Sequence, residues 1–159
     1  MKTITLDIAS EADTERLGAA LAESLPRGAT VCLSGTLGAG KTRLVQAVAA
    51  ALGVPRPSVV SPTFTLCNEY PGDPGIAHLD LYRIADEDEL LELGIEEYFA
   101  APTLTFIEWA DRFPDVMPPE RWDVSIEFTA TASRRVTITA HGSEHEAALE
   151  RLAELKPRS

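Results

Sequence analysis

A chain of 159 residues and 17.2 kDa has the length of one ordinary domain, so we expect a single domain over residues 1–159 and exclude a large multi-domain machine. With 45% hydrophobic and 25% charged residues, the composition provides for a core and excludes disorder of the whole chain. The net charge of −11 comes from residues 66–128, with three basic and sixteen acidic residues, which disfavours tight direct binding of nucleic acid.

The cysteines and the apolar runs bear on the cellular compartment. Cys32 and Cys67 lie far apart without a CxxC pair, which argues against a zinc site and against a secreted disulfide framework. The chain begins without a signal-peptide pattern, and no apolar run has the length of a spanning helix. We therefore expect a cytoplasmic protein that does not enter a membrane.

The first third of the chain alternates strand and helix patterns. In order, they predict a strand over 3–8, a helix over about 11–25, a buried strand over 30–33 and an amphipathic helix from 44 to 52. Ser10 and Asp13 have the spacing of a capping box at the start of the first helix. Gly53 marks the end of the second helix.

The rest of the chain combines hairpins with further helices. The patterns predict an irregular loop over 54–62, a hairpin of strands 63–70 and 76–82, a helical patch over 86–99, a buried strand over 103–107, an antiparallel pair around 124–128 and 136–140, and a helix over 144–155. Together these elements predict an α/β sandwich, with a mixed parallel and antiparallel sheet flanked by helices.

One motif carries chemistry. Residues 35–42 read Gly-Thr-Leu-Gly-Ala-Gly-Lys-Thr, which matches G-x-x-x-x-G-K-[ST] between a predicted buried strand and a predicted helix. In such a P-loop the glycines allow backbone N–H groups to surround phosphates at the positive end of the helix. The sandwich is therefore predicted to be P-loop NTPase-like. The predicted nucleotide-binding residues are Gly35, Leu37, Gly38, Ala39, Gly40, Lys41 and Thr42.

A P-loop also needs a carboxylate near its Thr42 hydroxyl to hold Mg²⁺. Glu108 ends one predicted apolar strand and Asp80 lies near the end of another. Either could instead be an edge-exposed carboxylate or could pair with Arg83 or Arg112, and the sequence does not divide metal binding and water orientation between them. His78 lies two residues before Asp80, and we expect its side chain to be half-buried on the strand.

Several further segments follow the P-loop in a fixed order. They are Ser61-Pro-Thr-Phe-Thr-Leu66, His78-Leu-Asp-Leu-Tyr-Arg83, Leu93-Gly-Ile95 with Tyr98-Phe99, and Ile107-Glu-Trp109. Together with the P-loop, this set resembles the bacterial TsaE family, formerly YjeE, the ATPase of tRNA threonylcarbamoyladenosine (t6A) synthesis. The resemblance is strong over about residues 10–110, and it extends into the remaining tail only through the two predicted strands there.

The resemblance implies a site and a function. It implies an ATP-binding protein in which Lys41 contacts the phosphates, Thr42 and Glu108 bind Mg²⁺, and Asp80 is needed for hydrolysis. It further implies a switch-like loop at Ser61–Thr65 and Trp109 at the edge of the site. The implied partners are the TsaD and TsaB proteins, which modify adenosine 37 of tRNAs that read ANN codons. ATP binding would promote their assembly with this chain. Hydrolysis, which would be weak in the isolated protein, would reset the complex between turnovers.

Two alternatives remain open from the residues themselves. A small-molecule kinase can use the same loop, although the segment 84–133 has only Arg112 and Arg121 to form a basic lid. A nucleotide-binding subunit without hydrolysis is the other alternative. ATP is favoured over GTP because no lysine lies in an Asn/Thr-Lys-x-Asp sequence.

Overall fold

The strands form one mixed sheet. The computed structural model describes residues 1–35, 40–54, 67–72, 74–130 and 133–155. Within them the strands are β1 (Lys2–Ile8), β2 (Thr30–Gly35), β3 (Cys67–Tyr70), β4 (Ile76–Asp80), β5 (Leu104–Glu108), β6 (Arg121–Ala130) and β7 (Ser133–His141). Their spatial order is β1-β7-β6-β2-β5-β4-β3, which leaves β2 in the centre.

The sheet is parallel in the middle and antiparallel at both sides. β2 runs parallel to its neighbours β5 and β6, and β4 runs parallel to β5. β3 pairs antiparallel with β4, β6 with β7, and β7 with β1. The mixed sheet and the predicted antiparallel pair near the end of the chain, in which Val124 lies opposite Ile138, are thereby confirmed.

The helices flank this sheet. They are α1 (Glu11–Ser24), α2 (Lys41–Ala51), α3 (Glu87–Glu92), α4 (Ile95–Ala100) and α5 (Ser143–Leu155), with a short 3-10 turn at Ala110–Arg112. The predicted capping box starts α1, since the Ser10 Oγ accepts a hydrogen bond from the Asp13 N–H at 3.2 Å. None of the helices in the described part of the chain has the length and apolar character needed to cross a membrane.

Two apolar clusters cover the two faces of the sheet. Alternation along β2 sends Val31 and Leu33 into the larger cluster and Cys32 into the smaller one. The larger cluster takes its helical residues from α1, α2 and α5. The smaller one includes Leu90 of α3 and Ile95 of α4. Helices therefore pack on both faces, as the predicted sandwich requires.

A glycine lets α1 approach α2 closely. A Cβ atom placed on Gly18 would lie 2.3 Å from the Ala47 Cβ and 2.7 Å from the Ala47 carbonyl carbon. No side chain fits at that separation, so the backbone of α1 itself packs on α2. Because α2 begins at Lys41, this contact also holds the helix that starts at the predicted phosphate-binding motif.

The structure differs from the predicted elements in two places. The helical patch over 86–99 is two short helices, because Gly94 adopts a left-handed φ of 78° between them. The predicted strand over 76–82 ends at Asp80, whose side-chain Oδ1 accepts the N–H of Tyr82 at 2.9 Å and turns the chain. Residues 55–62 of the predicted loop over 54–62, and residues 63–66 of the predicted strand over 63–70, lie outside the described residues.

One buried histidine makes stability depend on pH. His145 of α5 is 6% exposed, and neither ring nitrogen has a hydrogen-bond partner among the described residues. Burial lowers the pKa of His145 below its ordinary value of 6.5, although the carboxylates of Glu120 and Glu144 act in the opposite direction. The unfolded chain therefore takes up this proton first, and stability falls as the pH drops below 6.5 and through the lowered pKa.

We expect His145→Leu to lose less stability than the wild-type protein on acidification, because leucine has no proton to gain. Urea unfolding of both proteins at about pH 7.5 and about pH 5 checks this difference. Equal losses in the two proteins would contradict the assignment.

Candidate active site

The P-loop motif joins the central strand to a helix. Gly35 ends β2, and Gly40 precedes α2 with a left-handed φ of 110°. Between them, the predicted phosphate-binding residues Leu37, Gly38 and Ala39 lie outside the described residues. The strand before this segment and the helix after it are the two elements that the motif requires, and the first N–H groups of an α-helix such as α2 have no intrahelical partners.

Lys41 is buried at the start of α2. Its side chain is 7% exposed, and its Nζ donates to the Gly35 carbonyl at 3.1 Å. The same Nζ lies 4.0 Å from the Glu108 Oε1 and 5.3 Å from the centre of the Trp109 ring. A buried ammonium group needs such partners, because desolvation of an unpaired charge is costly. The contacts keep the cation beside the loop.

Both predicted carboxylates end neighbouring parallel strands. Asp80 is in register with Glu108, and Glu108 is in register with Leu33 of β2. Each of the two acids is 6% exposed. The Leu81 N–H donates to the Glu108 carbonyl at 3.1 Å and continues the pairing by one residue. The structure therefore brings Lys41, Asp80 and Glu108 to the carboxyl ends of the strands, where ligands of open α/β sheets bind.

Arg112 does not pair with either carboxylate through its described bonds. Its NH1 donates to the carbonyls of Leu81 and Tyr82, each at 2.7 Å. These bonds brace the backbone that immediately follows Asp80. The partner of the Glu108 Oε2 is instead the Nε2 of His78, at 2.7 Å.

Trp109 follows Glu108 in a strained conformation. Its φ of 65° is the only positive value of a non-glycine residue in the described ranges. The ring lies 5.1 Å from the ring of Tyr82, tilted by 51°, and within reach of the Lys41 ammonium for a cation–π contact. This geometry holds an aromatic ring at the edge of the site.

The residues around Lys41 suit a magnesium ion in their chemistry. Mg²⁺ prefers hard oxygen ligands and is usually held by one or two carboxylates together with phosphate oxygens and water. Glu108 and Asp80 supply the carboxylates, and Thr42 carries a hydroxyl in the first turn of α2. In the described ranges, no group of three or more His, Cys, Asp or Glu side chains could hold a metal by itself. A nucleotide would have to complete the coordination.

A cavity of about 270 Å³ opens beside Gly40. Its apolar lining includes Ile8, Ile126 and Val136, and its polar and charged lining includes Ser10, Glu11 and Arg43. The cavity lies between the capped start of α1 and the start of α2, so it is next to the P-loop. Its size and mixed lining suit a small flat ligand.

A model of the family described as "Threonylcarbamoyl adenosine biosynthesis protein TsaE" matches residues 8–136. The chain belongs to the TsaE family. A Bacillus subtilis protein named tRNA threonylcarbamoyladenosine biosynthesis protein TsaE is 34% identical over 154 residues, which are 96% of each chain. A Nostoc protein with the same name is 40% identical over 137 residues, and the match covers 83% of each chain.

A solved structure carries the same fold. The crystal structure of Bacillus subtilis YdiB matches with a TM-score of 0.81 at 28% identity, over 96% of this chain and 95% of that chain. An Aquifex aeolicus protein, also named for t6A biosynthesis and TsaE, is 44% identical over 114 residues, 70% of this chain and 79% of its own. The mixed sheet with flanking helices is thus an architecture that this chain shares with the YdiB structure.

The contacts that two residues make near the site were not predicted from the sequence. His78 is fully buried and bonded to Glu108, not half-buried as predicted. The signal was its position two residues before Asp80 on a buried strand, which puts both side chains on one face of the sheet. The backbone contacts of Arg112 left no such signal, because they depend on how the chain turns after Asp80.

Proposed function

We propose that the chain is an ATP-binding and ATP-hydrolysing protein of tRNA threonylcarbamoyladenosine biosynthesis. The observation that carries the proposal is the buried Lys41 beside Glu108, at the carboxyl ends of parallel strands in a chain of the TsaE family. The relatives named above are named for t6A biosynthesis, and their names do not favour the small-molecule kinase.

Phosphate binding uses the lysine and the helix. The Lys41 ammonium bonds the β and γ phosphates in place of the Gly35 carbonyl, and the first N–H groups of α2 add donors with the positive end of the helix dipole. The burial of Lys41 favours this exchange, because a phosphate provides a stronger partner for the cation than a neutral carbonyl.

Hydrolysis uses the two carboxylates. Thr42 and Glu108 are the residues that would hold Mg²⁺, which when bound neutralises charge on the phosphate oxygens. Asp80 lies in register beside Glu108 and can orient the attacking water and accept its proton. ATP and water then give ADP and inorganic phosphate. The Arg112 bonds to the backbone after Asp80 hold this carboxylate's segment in place.

The base of the nucleotide fits the cavity beside Gly40. Apolar side chains of Ile8, Ile126 and Val136 suit the faces of a purine, and the Ser10 and Thr14 hydroxyls lie among them. The cavity adjoins the start of α2, so a nucleotide could reach it with its phosphates at Lys41.

The partner of the ATP-bound chain is the TsaD–TsaB pair. Residues 66–128 carry sixteen acidic residues against three basic ones, so a tRNA phosphate backbone would be repelled unless another protein lies between. The helices α3 and α4 carry many of these acids on exposed positions. The predicted switch at Ser61–Thr65 lies outside the described residues and remains part of the proposal.

We expect ATP to strengthen binding of this chain to purified TsaD–TsaB by about tenfold or more, since coupling between sites is typically 1–3 kcal/mol. Surface plasmon resonance with and without ATP measures the affinity for TsaD–TsaB. Mass spectrometry of tRNA nucleosides measures the extent of the t6A modification. Asp80→Asn should keep ATP binding but lose turnover, whereas the exposed Asp115→Asn serves as the matched control.

Equal affinity in the two nucleotide states would contradict the proposed coupling, because a ligand that binds both states equally shifts neither. Tight, salt-dependent tRNA binding by the isolated chain would contradict the role given to the partner.

A further inference from the structure

The histidine behind the Glu108 carboxylate has a geometry that core packing does not require. His78 is 0% exposed in β4, and its Nε2 lies 2.7 Å from the Glu108 Oε2. Its Nδ1 has no hydrogen-bond partner within the described residues. A buried polar ring costs free energy that an apolar side chain of similar size would avoid, so packing alone does not explain a histidine here.

The bond fixes the roles of the two groups. A carboxylate that binds a metal ion only accepts hydrogen bonds, so for Glu108 in that role the proton of this bond belongs to the His78 Nε2, which donates it to Oε2. One oxygen of Glu108 is thereby engaged, while Oε1 faces the Lys41 Nζ at 4.0 Å. The two contacts together restrict rotation of the carboxylate about its last bond, with Oε1 directed towards the Lys41 ammonium.

Backbone geometry supports the same orientation. His78 pairs in register with Phe106, two residues before Glu108 on the neighbouring parallel strand. The imidazole therefore reaches Glu108 diagonally across the same face of two hydrogen-bonded strands. Every residue of both strands is buried, and each strand has a neighbour on either side in the sheet, so the position of the donor is set by the sheet itself.

We propose that His78 is a positioning residue for the metal-binding carboxylate: its Nε2–H holds Glu108 so that Oε1 is presented to the divalent cation of the bound nucleotide. The inference rests on the proposed function, because it requires that Glu108 binds such a cation. Partners that orient metal ligands from behind typically contribute tenfold to a hundredfold in metal affinity, which is about the effect expected here.

The experiment compares two variants of His78 in the full chain. Leucine has a similar volume and no donor, whereas glutamine places an N–H at about the position of Nε2. Mn²⁺ is the probe in place of Mg²⁺. Electron paramagnetic resonance of the unbound Mn²⁺ measures its affinity for the protein in the presence of saturating ADP. Titration of ADP in EDTA measures nucleotide binding without a cation. His145→Leu removes a buried histidine away from the site and is the matched control.

We expect His78→Leu to weaken Mn²⁺ binding by about tenfold or more, with ADP affinity in EDTA preserved. His78→Gln should restore most of the Mn²⁺ affinity, and His145→Leu should match the wild-type protein. A merely structural role would not give this rescue. If His78→Leu does not fold, His78→Asn replaces it, since its shorter amide cannot reach Oε2.

Wild-type Mn²⁺ affinity in the donor-free variant, or equal losses in the glutamine and donor-free variants, would overturn the inference and leave the proposed function intact. Absence of ADP and Mn²⁺ binding by the wild-type protein itself would instead overturn the proposed function, and the inference with it.

Discussion

Replacing Lys41 with alanine is expected to weaken ATP binding by about a hundredfold, which corresponds to about 3 kcal/mol, and to abolish detectable hydrolysis. The ammonium group lies 4.0 Å from the Oε1 of the buried Glu108, and Asp80 lies in register beside that acid. Without it, the phosphates of ATP would meet two carboxylates and lose a charge-assisted hydrogen bond. Isothermal titration with ATP and Mg²⁺, together with a phosphate-release assay, measures both effects.

The matched control for this experiment is Lys2→Ala. Lys2 is exposed on the edge strand β1 and pairs with Glu150, so its removal should change neither binding nor turnover. Folding of Lys41→Ala should survive, because the side chain points to the ligand site and the apolar face of α2 is unchanged. Unchanged affinity combined with unchanged turnover would refute the P-loop assignment.

Gly35→Ala is expected to lower the free energy of unfolding by about 3 kcal/mol or more. The φ of Gly35 is 136°, a value that side chains disfavour, and an added Cβ would lie 2.1 Å from the Ile126 carbonyl oxygen. That oxygen belongs to the backbone of β6, which is paired with β2 at this position and cannot move away alone. Urea unfolding of the variant measures the loss.

Gly40→Ala separates the two causes. Gly40 also has a positive φ, of 110°, but an added Cβ would meet no atom of the described residues within 4 Å. Its variant should therefore show only the cost of backbone strain, about 1–3 kcal/mol. A loss in Gly35→Ala no larger than that in Gly40→Ala would show that the β6 contact is unimportant.

The secondary structure and the fold class were largely predictable, because the sequence patterns that indicate each helix and strand are local. The alternation in β6 and β7, the capping box before α1 and the apolar run of β2 each follow from side chains near in sequence. The division of residues 86–99 into two helices depended on Gly94, whose left-handed turn outweighs an otherwise helical pattern. Spatial strand order, such as the place of β6 beside β2, has no local signal.

The candidate site was predictable in its residue types and less so in its contacts. Lys41, Asp80 and Glu108 follow from the motif and from strand ends. The bond between His78 and Glu108 joins two strands 30 residues apart, so it depends on their register. Pairing of Glu108 with an arginine was an open alternative, and its described partners are His78 and Lys41.

The position of β1 at the edge of the sheet bears on the order in which the chain can assemble during its synthesis. β1 pairs only with β7 in the described sheet, and Lys2 lies opposite Ala140. β1 leaves the ribosome before the other described strands and must therefore wait for β7, which leaves after them. Meanwhile β2, β4 and β5, which carry the candidate site, can already associate. Closing so long a loop is entropically slow, so docking of β1 is a late folding event.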